Sequence, residues 1–315
     1  MKNIKNSNVL ITGGAGFVGS NLANTLMVDN KILVIDDLSM GDFKNLDFSE
    51  NLTTIKGSVT DLSLLKKVFD ENDFDYVFHL AAIASVADSV ARPIETHKVN
   101  FDSTLMILEL LRENKKSLKR LVFSSSAAVY GDEPTLPKIE SSIIKPLSPY
   151  AVDKFASERM AMVYNSLYGI PCSATRFFNV YGPKQNPASP YSGIISIIVD
   201  RLINDGELII FGDGKQSRDF VYVADVIQAL TCIATSTESI GEVYNVGTGT
   251  QITLNDLISA IEKISGRLIK KKYEPAREGD IRDSVSQIDK LIQIGYKAKF
   301  TLTSGLEKYL ENEFE

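Results

Sequence analysis

Short apolar runs alternate with longer amphipathic stretches along the first 180 residues of the chain. Most runs are rich in strand formers and have few polar positions, as is typical of parallel strands that are buried on both faces. This pattern predicts strands at Asn8–Thr12, 31–35, Leu52–Lys56, 76–80 and Arg120–Ser126. The stretches between them predict helices, among them 61–70, 94–113 and a helix that begins near Tyr150. Such regular alternation indicates an α/β fold with a doubly wound parallel sheet of the Rossmann type.

The pattern changes after about residue 180. The segment 181–190 holds three prolines among polar residues and predicts a loop. The strands predicted beyond it are short, at 208–211 and 242–246. We expect a Rossmann domain at 1–180, to which these two strands are added, and a smaller C-terminal lobe at 181–315. Because open α/β sheets bind ligands at their carboxyl edge, the lobe should lie over that edge and bind the substrate.

A glycine-rich turn follows the first predicted strand and opens the first helix. It matches a dinucleotide-binding fingerprint in either of two spacings, which start at Gly13 or at Gly14 and continue through Gly16 and Gly19. The glycines permit a tight turn, close approach of backbone N–H groups to a pyrophosphate, and close packing of helix on strand. The helix that follows would direct its positive end at phosphate.

Two carboxylates, Asp36 and Asp37, follow the second predicted strand. They lie at the distance from the glycines at which an acid accepts hydrogen bonds from the adenosine ribose. A negative charge there favours NAD and repels the extra phosphate of NADP. After the strand at 76–80, Ala81 and Ala82 are small enough for a cofactor to lie against the backbone. We therefore predict NAD as the cofactor.

Three groups suited to proton transfer fall within one strand–helix unit. Ser126 ends a predicted strand, and Tyr150 and Lys154 are four residues apart, so they share one face of the next helix. A free phenol has a pKa of about 10, so a tyrosine base needs a nearby positive charge, which Lys154 supplies. Alone, such a pair is more often ordinary packing with a solvated lysine. Beside a dinucleotide fingerprint, it predicts proton removal from an alcohol.

Two arginines, Arg218 and Arg277, lie on predicted loops of the C-terminal lobe. A guanidinium fork matches phosphate oxygens, so both are candidates for binding a diphosphate. The alternative is surface ion pairing with the neighbouring acids Asp219 and Glu278.

Composition narrows the classes of partner. The chain has 315 residues, 34 of them basic and 40 acidic, with a net charge of -6 and no long basic run. This balance disfavours nucleic acid and anionic membranes as partners. Two cysteines and two histidines form neither a disulfide framework nor a conventional zinc site, so we expect reduced thiols and no metal. Neither a signal peptide nor an apolar span of membrane length is evident, so we expect a cytoplasmic protein.

The chain resembles the extended short-chain dehydrogenase/reductase family, and within it the UDP-glucose and UDP-N-acetylglucosamine 4-epimerases. The resemblance covers nearly the full length and rests on residues 12–20, 79–82, 124–126 with 130–131, Tyr150 with Lys154, 176–183 and 218–221. It implies oxidation of the sugar at C4, a turn of the ketosugar about its phosphate linkage, and reduction on the opposite face. It also implies a homodimer that pairs the helices starting near Ile94 and Tyr150 with their symmetry mates.

The resemblance assigns a role to each candidate residue. Tyr150 is the implied base, Lys154 holds the nicotinamide ribose, and Ser126 hydrogen-bonds the reacting sugar oxygen. The implied cofactor contacts are Gly13, Gly16, Phe17, Val18, Gly19, Asp36, Asp37, Ser58, Val59, Leu80, Ala81, Ala82, Asn100, Tyr150, Lys154 and Phe177. The implied substrate contacts are Ser85, Ser126, Asn179, Phe211, Arg218, Arg277, Asp280 and Ser284. Ser58 stands where the family has an aspartate near the adenine, which leaves that contact open.

Three other functions are weighed against this one. A 4,6-dehydratase of the same superfamily would carry an Asp-Glu pair where this chain has Ala127 and Ala128. A UDP-glucuronate 4-epimerase would need a positive charge for the sugar carboxylate, and Lys184 is the only candidate in the loop at 181–190. A non-catalytic NAD-binding regulator would not need the complete set of serine, tyrosine and lysine.

The choice of sugar is predicted from one position. By the resemblance, Ser284 faces the C2 substituent of the sugar, where epimerases restricted to plain hexoses have a bulky tyrosine. A serine leaves room for an N-acetyl group, and the loop at 185–192 is a candidate polar partner for its amide. The alternative is that Ser284 caps the next helix.

Overall fold

The computed structural model describes residues 3–114, 117–186, 193–276 and 281–314, and its largest element is a seven-stranded sheet. Every pair of neighbouring strands in this sheet is parallel. The strands are β1 Asn8–Thr12, β2 Lys31–Asp36, β3 Leu52–Lys56, β4 Tyr76–His79, β5 Arg120–Ser126, β6 Cys172–Phe177 and β7 Val243–Val246. The predicted doubly wound α/β fold is confirmed, and the five strands predicted before residue 180 are each found within one residue of their predicted bounds.

The order of the strands places a crevice near the centre of the sheet. Across the sheet they run β7-β6-β5-β4-β1-β2-β3. The chain therefore moves outward from β1 to β3, crosses back, and moves outward in the other direction from β4. Where the direction reverses, the loops after β1 and β4 leave the carboxyl edge on opposite sides and open a space for a ligand.

Eleven α-helices accompany the strands among the described residues. They are α1 Phe17–Leu26, α2 Leu62–Glu71, α3 Val86–Ala91, α4 Pro93–His97, α5 Ser103–Glu113, α6 Pro149–Tyr168, α7 Ile194–Ile203, α8 Val223–Thr235, α9 Leu254–Ser265, α10 Asp289–Gln293 and α11 Leu302–Phe314. Short 3₁₀ turns lie at Phe43–Asn45, Ala127–Tyr130 and Thr237–Ser239. None of the helices in the described part of the chain is long and apolar enough to cross a membrane.

The main sheet is covered on both faces, as its continuous apolar strands require. Along β1, Val9 and Ile11 belong to one core with α1 and α8, whereas Leu10 belongs to a second core with α2, α5 and α6. Successive residues of a strand point to opposite faces, so one short run of apolar residues contributes to two cores. The two cores fix the strand ends from which the candidate functional groups project.

A third core lies within the C-terminal part of the chain. It joins α7, α9 and α11 to a short parallel pair of strands, Glu207–Phe211 and Lys270–Glu274. The prediction that 208–211 joins the main sheet is therefore wrong, whereas β7 does join it, next to β6. The remaining short strands pair as Asn179–Tyr181 with Phe220–Tyr222 and Ser217–Arg218 with Ile252–Thr253. The domain boundary at residue 180 stays a prediction.

The helix predicted at 94–113 contains an irregular segment. Between α4 and α5, residues Lys98–Asp102 form a π-helical turn. In this turn the carbonyl oxygen of Asn100 accepts hydrogen bonds from Thr104 Oγ1 and from Ser157 Oγ on α6. Such π turns inside helices occur often at functional sites.

Candidate active site

The turn between β1 and α1 approaches the backbone that follows β4. Gly13 has a φ of +69°, and a Cβ atom there would lie 2.7 Å from the amide nitrogen of Ala81. A Cβ atom on Gly19 would lie 2.1 Å from the carbonyl oxygen of Gly13. Both distances are too short for a side chain, and Gly13 makes the tight turn. Gly14 is also closely packed, because a Cβ atom there would lie 2.6 Å from Val34 Cγ2, so both spacings stay open.

The N-terminus of α1 is open to an anion. Gly16 is its N-cap, no side chain caps it, and its first turn has no acidic residue. Phe17 and Val18, both partly buried, form that first turn. The unpaired N–H groups and the helix dipole favour a phosphate at this position. This close-packed glycine turn, which a side chain would fill, fits the pyrophosphate of NAD.

Asp36 lies at the end of β2, beside the glycine turn. Its carboxylate accepts hydrogen bonds from the backbone N–H groups of Ala15 and Leu38, each at 2.9 Å. Burial raises the pKa of Asp36, and these hydrogen bonds oppose the rise. Asp37 differs: it is exposed, and its carboxylate accepts bonds from the backbone and hydroxyl of Ser39. Asp36 is therefore the carboxylate held next to the glycine turn.

Ser58 and Val59 follow β3, the strand next to β2. The Ser58 hydroxyl lies 2.9 Å from that of Thr60 and accepts a bond from the Thr60 N–H at 3.2 Å. Val59 is buried. The local turn thus already occupies the Ser58 hydroxyl, and its contact with an adenine stays a prediction.

A buried histidine links the glycine turn to β4 and β5. Thr12 Oγ1 lies 2.7 Å from His79 Nδ1 and accepts a bond from the Ala81 N–H at 3.3 Å. The carbonyl oxygen of His79 accepts a bond from Ser124 Oγ at 3.1 Å. Burial, assisted by the charge of Lys154, lowers the pKa of His79 to about 3. The ring is therefore neutral near pH 7 and acts as a structural connection.

Asn100 holds the loop that follows β4. Its side chain accepts a bond from the Ile83 N–H at 2.8 Å and donates one to the Ile83 carbonyl at 3.2 Å. This two-point clamp fixes the backbone that continues Leu80, Ala81 and Ala82. In the same loop Ser85 is buried and accepts a bond from Asp88 N–H as the N-cap of α3. The direct ligand contacts predicted for these residues stay predictions.

The three catalytic candidates meet at the carboxyl end of β5. Ser126 is the last residue of that strand, paired in register with Phe177 of β6. Ser148 caps α6 and Pro149 begins it, which sets Tyr150 and Lys154 in the first two turns. Burial raises the pKa of Tyr150, while hydrogen bonding by Ser126 lowers it. The structure thus brings the predicted serine, tyrosine and lysine together.

Lys154 is buried and depends on few polar partners. Its ammonium donates to the Ser124 carbonyl at 2.8 Å and lies 5.0 Å from the centre of the Phe123 ring and 6.0 Å from that of Tyr150. Burial lowers the pKa of Lys154 to about 7, and the negative charge of Asp153 opposes this shift. The charge state of Lys154 is therefore sensitive to its surroundings near neutral pH.

A buried carboxylate organises the C-terminal side of the site. Asp219 accepts five hydrogen bonds, from the backbone and hydroxyl of Thr248, the backbone of Gly249, and the backbone and hydroxyl of Ser286. The alternative of a surface ion pair between Arg218 and Asp219 is wrong, because Asp219 is fully buried. Glu278, the other acid of that alternative, lies outside the described residues. Sequence reasoning missed this role, since nothing local distinguishes Asp219 from an exposed acid.

Of the remaining substrate candidates, Asn179 and Arg218 lie next to Asp219. Asn179 donates to the Asp219 carbonyl through its backbone at 3.0 Å and its side chain at 3.3 Å. Arg218 Nη1 donates to the carbonyls of Ser217 and Arg282 at 2.8 and 3.1 Å. Phe211 ends its strand and is half-buried. The candidates Arg277 and Asp280 lie outside the described residues.

Ser284 is held in the same region by its backbone. Its N–H donates to the Ser217 carbonyl at 3.1 Å, and its side chain is partly buried. The next helix, α10, begins at Asp289 with Ile288 as its N-cap. The alternative that Ser284 caps this helix is therefore wrong.

Lys184 points toward the glycine-turn side of the molecule. Its ammonium donates to the Asn45 carbonyl at 2.5 Å and lies 3.7 Å from an Asp47 carboxylate oxygen. Asn45 in turn donates to the Ala15 carbonyl at 3.0 Å. These partners disfavour Lys184 as a ligand for a sugar carboxylate.

Comparisons with known proteins agree with this geometry. The sequence model of the NAD dependent epimerase/dehydratase family matches residues 9–247. A solved UDP-N-acetylglucosamine 4-epimerase from Methanobrevibacter ruminantium, in complex with UDP-N-acetylmuramic acid, is 38% identical, with a TM-score of 0.94 over 99% of each chain. A Thermotoga maritima UDP-glucose 4-epimerase with UDP-glucose is 35% identical, with a TM-score of 0.91 over 98% of this chain and 100% of that one. A Bacillus cereus UDP-glucuronic acid 4-epimerase in complex with UDP-glucuronic acid and NAD is 30% identical, with a TM-score of 0.87. The match covers 98% of this chain and 100% of that one.

Proposed function

The chain belongs to the NAD dependent epimerase/dehydratase family, and we propose that it interconverts UDP-glucose and UDP-galactose by epimerisation at C4, with NAD as its cofactor. The observation that carries this proposal is the assembly of Ser126, Tyr150 and Lys154 at the carboxyl end of β5, beside the crevice that fits NAD. These groups supply what removal of a proton from a sugar hydroxyl requires.

The proton moves through Tyr150. Its phenolate accepts the proton of the sugar 4-hydroxyl, and Ser126 hydrogen-bonds the same oxygen as it becomes a carbonyl. Lys154 stabilises the phenolate by its positive charge. Held beside Tyr150 and Lys154, NAD would supply the hydride chemistry at C4, both as acceptor and as donor within one turnover.

Inversion requires the ketosugar to present its other face. The sugar turns about its phosphate linkage while the nucleotide stays bound, and C4 is then reduced from the opposite side. Tyr150 returns the proton to the oxygen. Because the reaction has no net redox change, NAD is regenerated in each turnover and can stay bound to the enzyme.

We assign cofactor binding to the residues around the crevice. The glycine turn with Phe17 and Val18 binds the pyrophosphate, and Asp36 binds the adenosine ribose. Asp37, Ser58 and Val59 border the adenosine end. Leu80, Ala81, Ala82, Asn100 and Phe177 border the nicotinamide end with Tyr150 and Lys154.

We assign the UDP moiety to the C-terminal side of the site. Asn179 and Arg218 lie in the region organised by Asp219, and a planar guanidinium suits a diphosphate. Phe211 is a further candidate by resemblance. Arg277 and Asp280 are further candidates by resemblance, and Ser85 is one on the sugar side.

The rival reactions have less support. The 3₁₀ turn after Ser126 carries Ala127 and Ala128, so it offers no acid for a 4,6-dehydratase. Lys184 is engaged by Asn45 and Asp47, which disfavours a glucuronate substrate. A regulator without catalysis would not explain why Lys154 is buried beside Tyr150.

UDP-N-acetylglucosamine is proposed as an additional substrate. Ser284 is a small residue whose backbone N–H donates to Ser217, and its partly buried side chain is suited to border the C2 substituent. A buried amide without a hydrogen bond would cost about 1–3 kcal/mol, so a polar partner is also required.

The active form is proposed to be a homodimer. Large apolar side chains are exposed on adjacent helices: Val86 and Val90 on α3, Ile94 on α4, and Val152 and Leu167 on α6. Such a patch suits a second copy of the same surface.

The dimer is tested by light scattering of two variants. Ile94→Arg should yield monomers, whereas Leu268→Arg, at an exposed site elsewhere, should not. A wild-type monomer at micromolar concentration contradicts the proposal.

We also propose a cytoplasmic location. Cys172 and Cys232 are buried free thiols, as expected in a reducing compartment.

The direct test is a panel of three sugars. Purified protein is incubated separately with UDP-glucose, UDP-N-acetylglucosamine and UDP-glucuronate, and the products are identified by NMR. Epimerisation of the first two and not the third is expected. Conversion of UDP-glucuronate alone would overturn the proposal.

A further inference from the structure

The loop between β2 and β3, residues 37–51, folds back onto the glycine turn. The carbonyl oxygen of Ala15 accepts hydrogen bonds from the N–H of Asp42 at 3.1 Å and from the side chain of Asn45 at 3.0 Å. A Cβ atom on Gly41 would lie 2.8 Å from the carbonyl carbon of Ala15, so the loop and the turn are in close contact there. The turn that fits the pyrophosphate of NAD is therefore held from outside by this loop.

A segment from the substrate side reaches across to the same place. Pro183 and Lys184 follow the short strand Asn179–Tyr181. The ammonium of Lys184 donates to the carbonyl oxygen of Asn45 at 2.5 Å. The carbonyl oxygen of Pro183 accepts a bond from the side chain of Asn21, on α1, at 3.1 Å. These two residues thus contact both the loop and the helix that flank the glycine turn.

The contact between the two sides is made in an uncommon backbone conformation. Lys184 has a φ of +72°, and Leu38, near the start of the loop, has a φ of +63°. Residues other than glycine rarely adopt this left-handed conformation, which persists only where the surrounding contacts fix it. Leu38 is fixed by its bond to the Asp36 carboxylate, and Lys184 by its bond to Asn45. Backbone strain of this kind is typical of functional sites.

The Asn45 carbonyl is the main partner of the Lys184 charge. The Lys184 side chain is 28% exposed, and a hydrogen bond from a partly buried ammonium is stronger than one from a neutral donor. The same carbonyl accepts a second bond from the side chain of Asn24, on α1, at 3.1 Å. Asp47 lies 3.7 Å from the ammonium, but its side chain is 67% exposed, so this ion pair should contribute little.

We propose that Lys184 is a positioning residue for the cofactor: by holding Asn45 from the substrate side, it keeps the loop at 37–51 closed on the glycine turn and slows the release of NAD. The contacts run from Lys184 through Asn45 to Ala15. The inference rests on the NAD site of the proposed function and deepens it, because a cofactor that is regenerated in each turnover has to stay bound.

The consequence is a defined change in the rate at which NAD leaves. Without the ammonium, the Asn45 carbonyl loses its charged donor, and the loop should open more often. NAD should dissociate faster by roughly tenfold or more, as expected for the loss of a hydrogen bond to a charged group. The NAD-free protein should unfold at nearly the wild-type temperature, because only one side chain at the surface has changed.

The test compares Lys184→Met, Asn45→Ala and the double variant, each loaded with NAD and freed of the excess. Released NAD is reduced at once by a large excess of a dehydrogenase and its own substrate, so the absorbance of NADH follows dissociation and no UDP-sugar is needed. Both single variants should release NAD faster than wild type. Because both act through the hold of Asn45 on Ala15, the double variant should release NAD no faster than the faster single variant.

Lys270→Met is the matched control. The Lys270 ammonium makes the same kind of contact, with the carbonyl of Asp205 at 3.3 Å and its carboxylate at 2.6 Å, but on a strand of the C-terminal lobe. This variant should release NAD at the wild-type rate.

Three results would overturn the proposal. They are unchanged NAD release in Lys184→Met, additive effects in the double variant, and equally fast release from Lys270→Met. A marked fall in the unfolding temperature of NAD-free Lys184→Met would also overturn it, because the residue would then support the fold in general. If the wild type converts no UDP-sugar, the proposed function fails, while the rate of NAD release still decides the role of Lys184.

Discussion

The catalytic side and the sugar-binding side of the site are held together in different ways. Ser126, Tyr150 and Lys154 lie at the end of one strand and on one face of one helix, so local spacing determines their arrangement. On the sugar-binding side, segments near residues 218, 248 and 286 are far apart in sequence and meet at one buried carboxylate, Asp219. The first arrangement can be read from a motif, whereas the second exists only after the chain has folded.

This difference predicts that substitutions on the two sides fail in different ways. On the catalytic side, a change should lower turnover and leave the fold intact, because regular elements hold the groups. Around Asp219, a change should loosen several loops together and so affect both stability and substrate affinity. Substitutions of Tyr150, Asp219, Ser284 and Asp36 test this contrast, and the largest effect is expected at Tyr150.

Tyr150→Phe should have the largest effect. It keeps the ring and removes the proton acceptor, so kcat should fall by roughly a hundredfold or more. Thermal unfolding and NAD content should match wild type. Tyr273→Phe, at an exposed site of the C-terminal lobe, is the control and should keep full turnover. Near wild-type kcat in Tyr150→Phe would contradict the mechanism.

Asp219→Asn should change stability and substrate affinity together. One oxygen of Asp219 accepts the bonds from Thr248, and the other accepts those from Gly249 and Ser286. An asparagine puts a non-accepting nitrogen in place of one oxygen and so loses one of these two sets. The variant should lose about 3 kcal/mol in urea unfolding and raise KM for the UDP-sugar. Asp283→Asn should lose less, because the bonds from Ser217 and Gln251 both go to one oxygen of a partly buried carboxylate, and the asparagine oxygen can still accept them. If Asp219→Asn alters kcat alone, the contrast between the two sides is wrong.

Ser284→Tyr should separate the two sugars. Overfilling the space beside C2 should cost about 1–3 kcal/mol for the acetylated sugar, which is roughly a tenfold to hundredfold loss of kcat/KM. UDP-glucose should still be converted. Ser284→Ala, which removes only the hydroxyl, should convert both. An equal loss of both activities in Ser284→Tyr would refute the role assigned to this position.

Asp36→Ala should have the smallest effect, which is confined to cofactor retention. Removing the carboxylate beside the glycine turn should weaken NAD binding by about tenfold, measured as NAD retained after dialysis. Asp37→Ala should weaken it less, because that carboxylate is exposed and bonded to Ser39. NADP bound to purified wild-type protein would contradict the assignment.

The features that could be predicted from the sequence are those encoded by local patterns, as on the catalytic side of the site. The family, the cofactor and six of the seven strands of the main sheet are confirmed, because each leaves a local pattern of apolar residues, glycines or acids. The seventh strand, β6, was not predicted. The meeting of Ser126, Tyr150 and Lys154 also followed from their spacing. The π turn at Lys98–Asp102 was not predicted, because it depends on contacts between Asn100 and α6 rather than on helical periodicity.

The sequence analysis failed for strand pairs and side-chain contacts that join segments far apart in the chain. The strand at Glu207–Phe211 has the apolar character of a main-sheet strand but pairs with Lys270–Glu274. The alternative that Asp219 is a surface partner of Arg218 is also excluded, because loops from distant parts of the chain bury Asp219. The contact between Lys184 and Asn45 also has no local signature.

The central claim is that C4 is oxidised and reduced within one turnover by a cofactor that never leaves. The most direct measurement uses UDP-glucose that carries deuterium at C4, with product analysis by NMR in ordinary water. When no NAD is added to the purified protein, we expect the product to be UDP-galactose that retains the deuterium at C4. Loss of deuterium to solvent, or a requirement for added NAD in proportion to product, would contradict it.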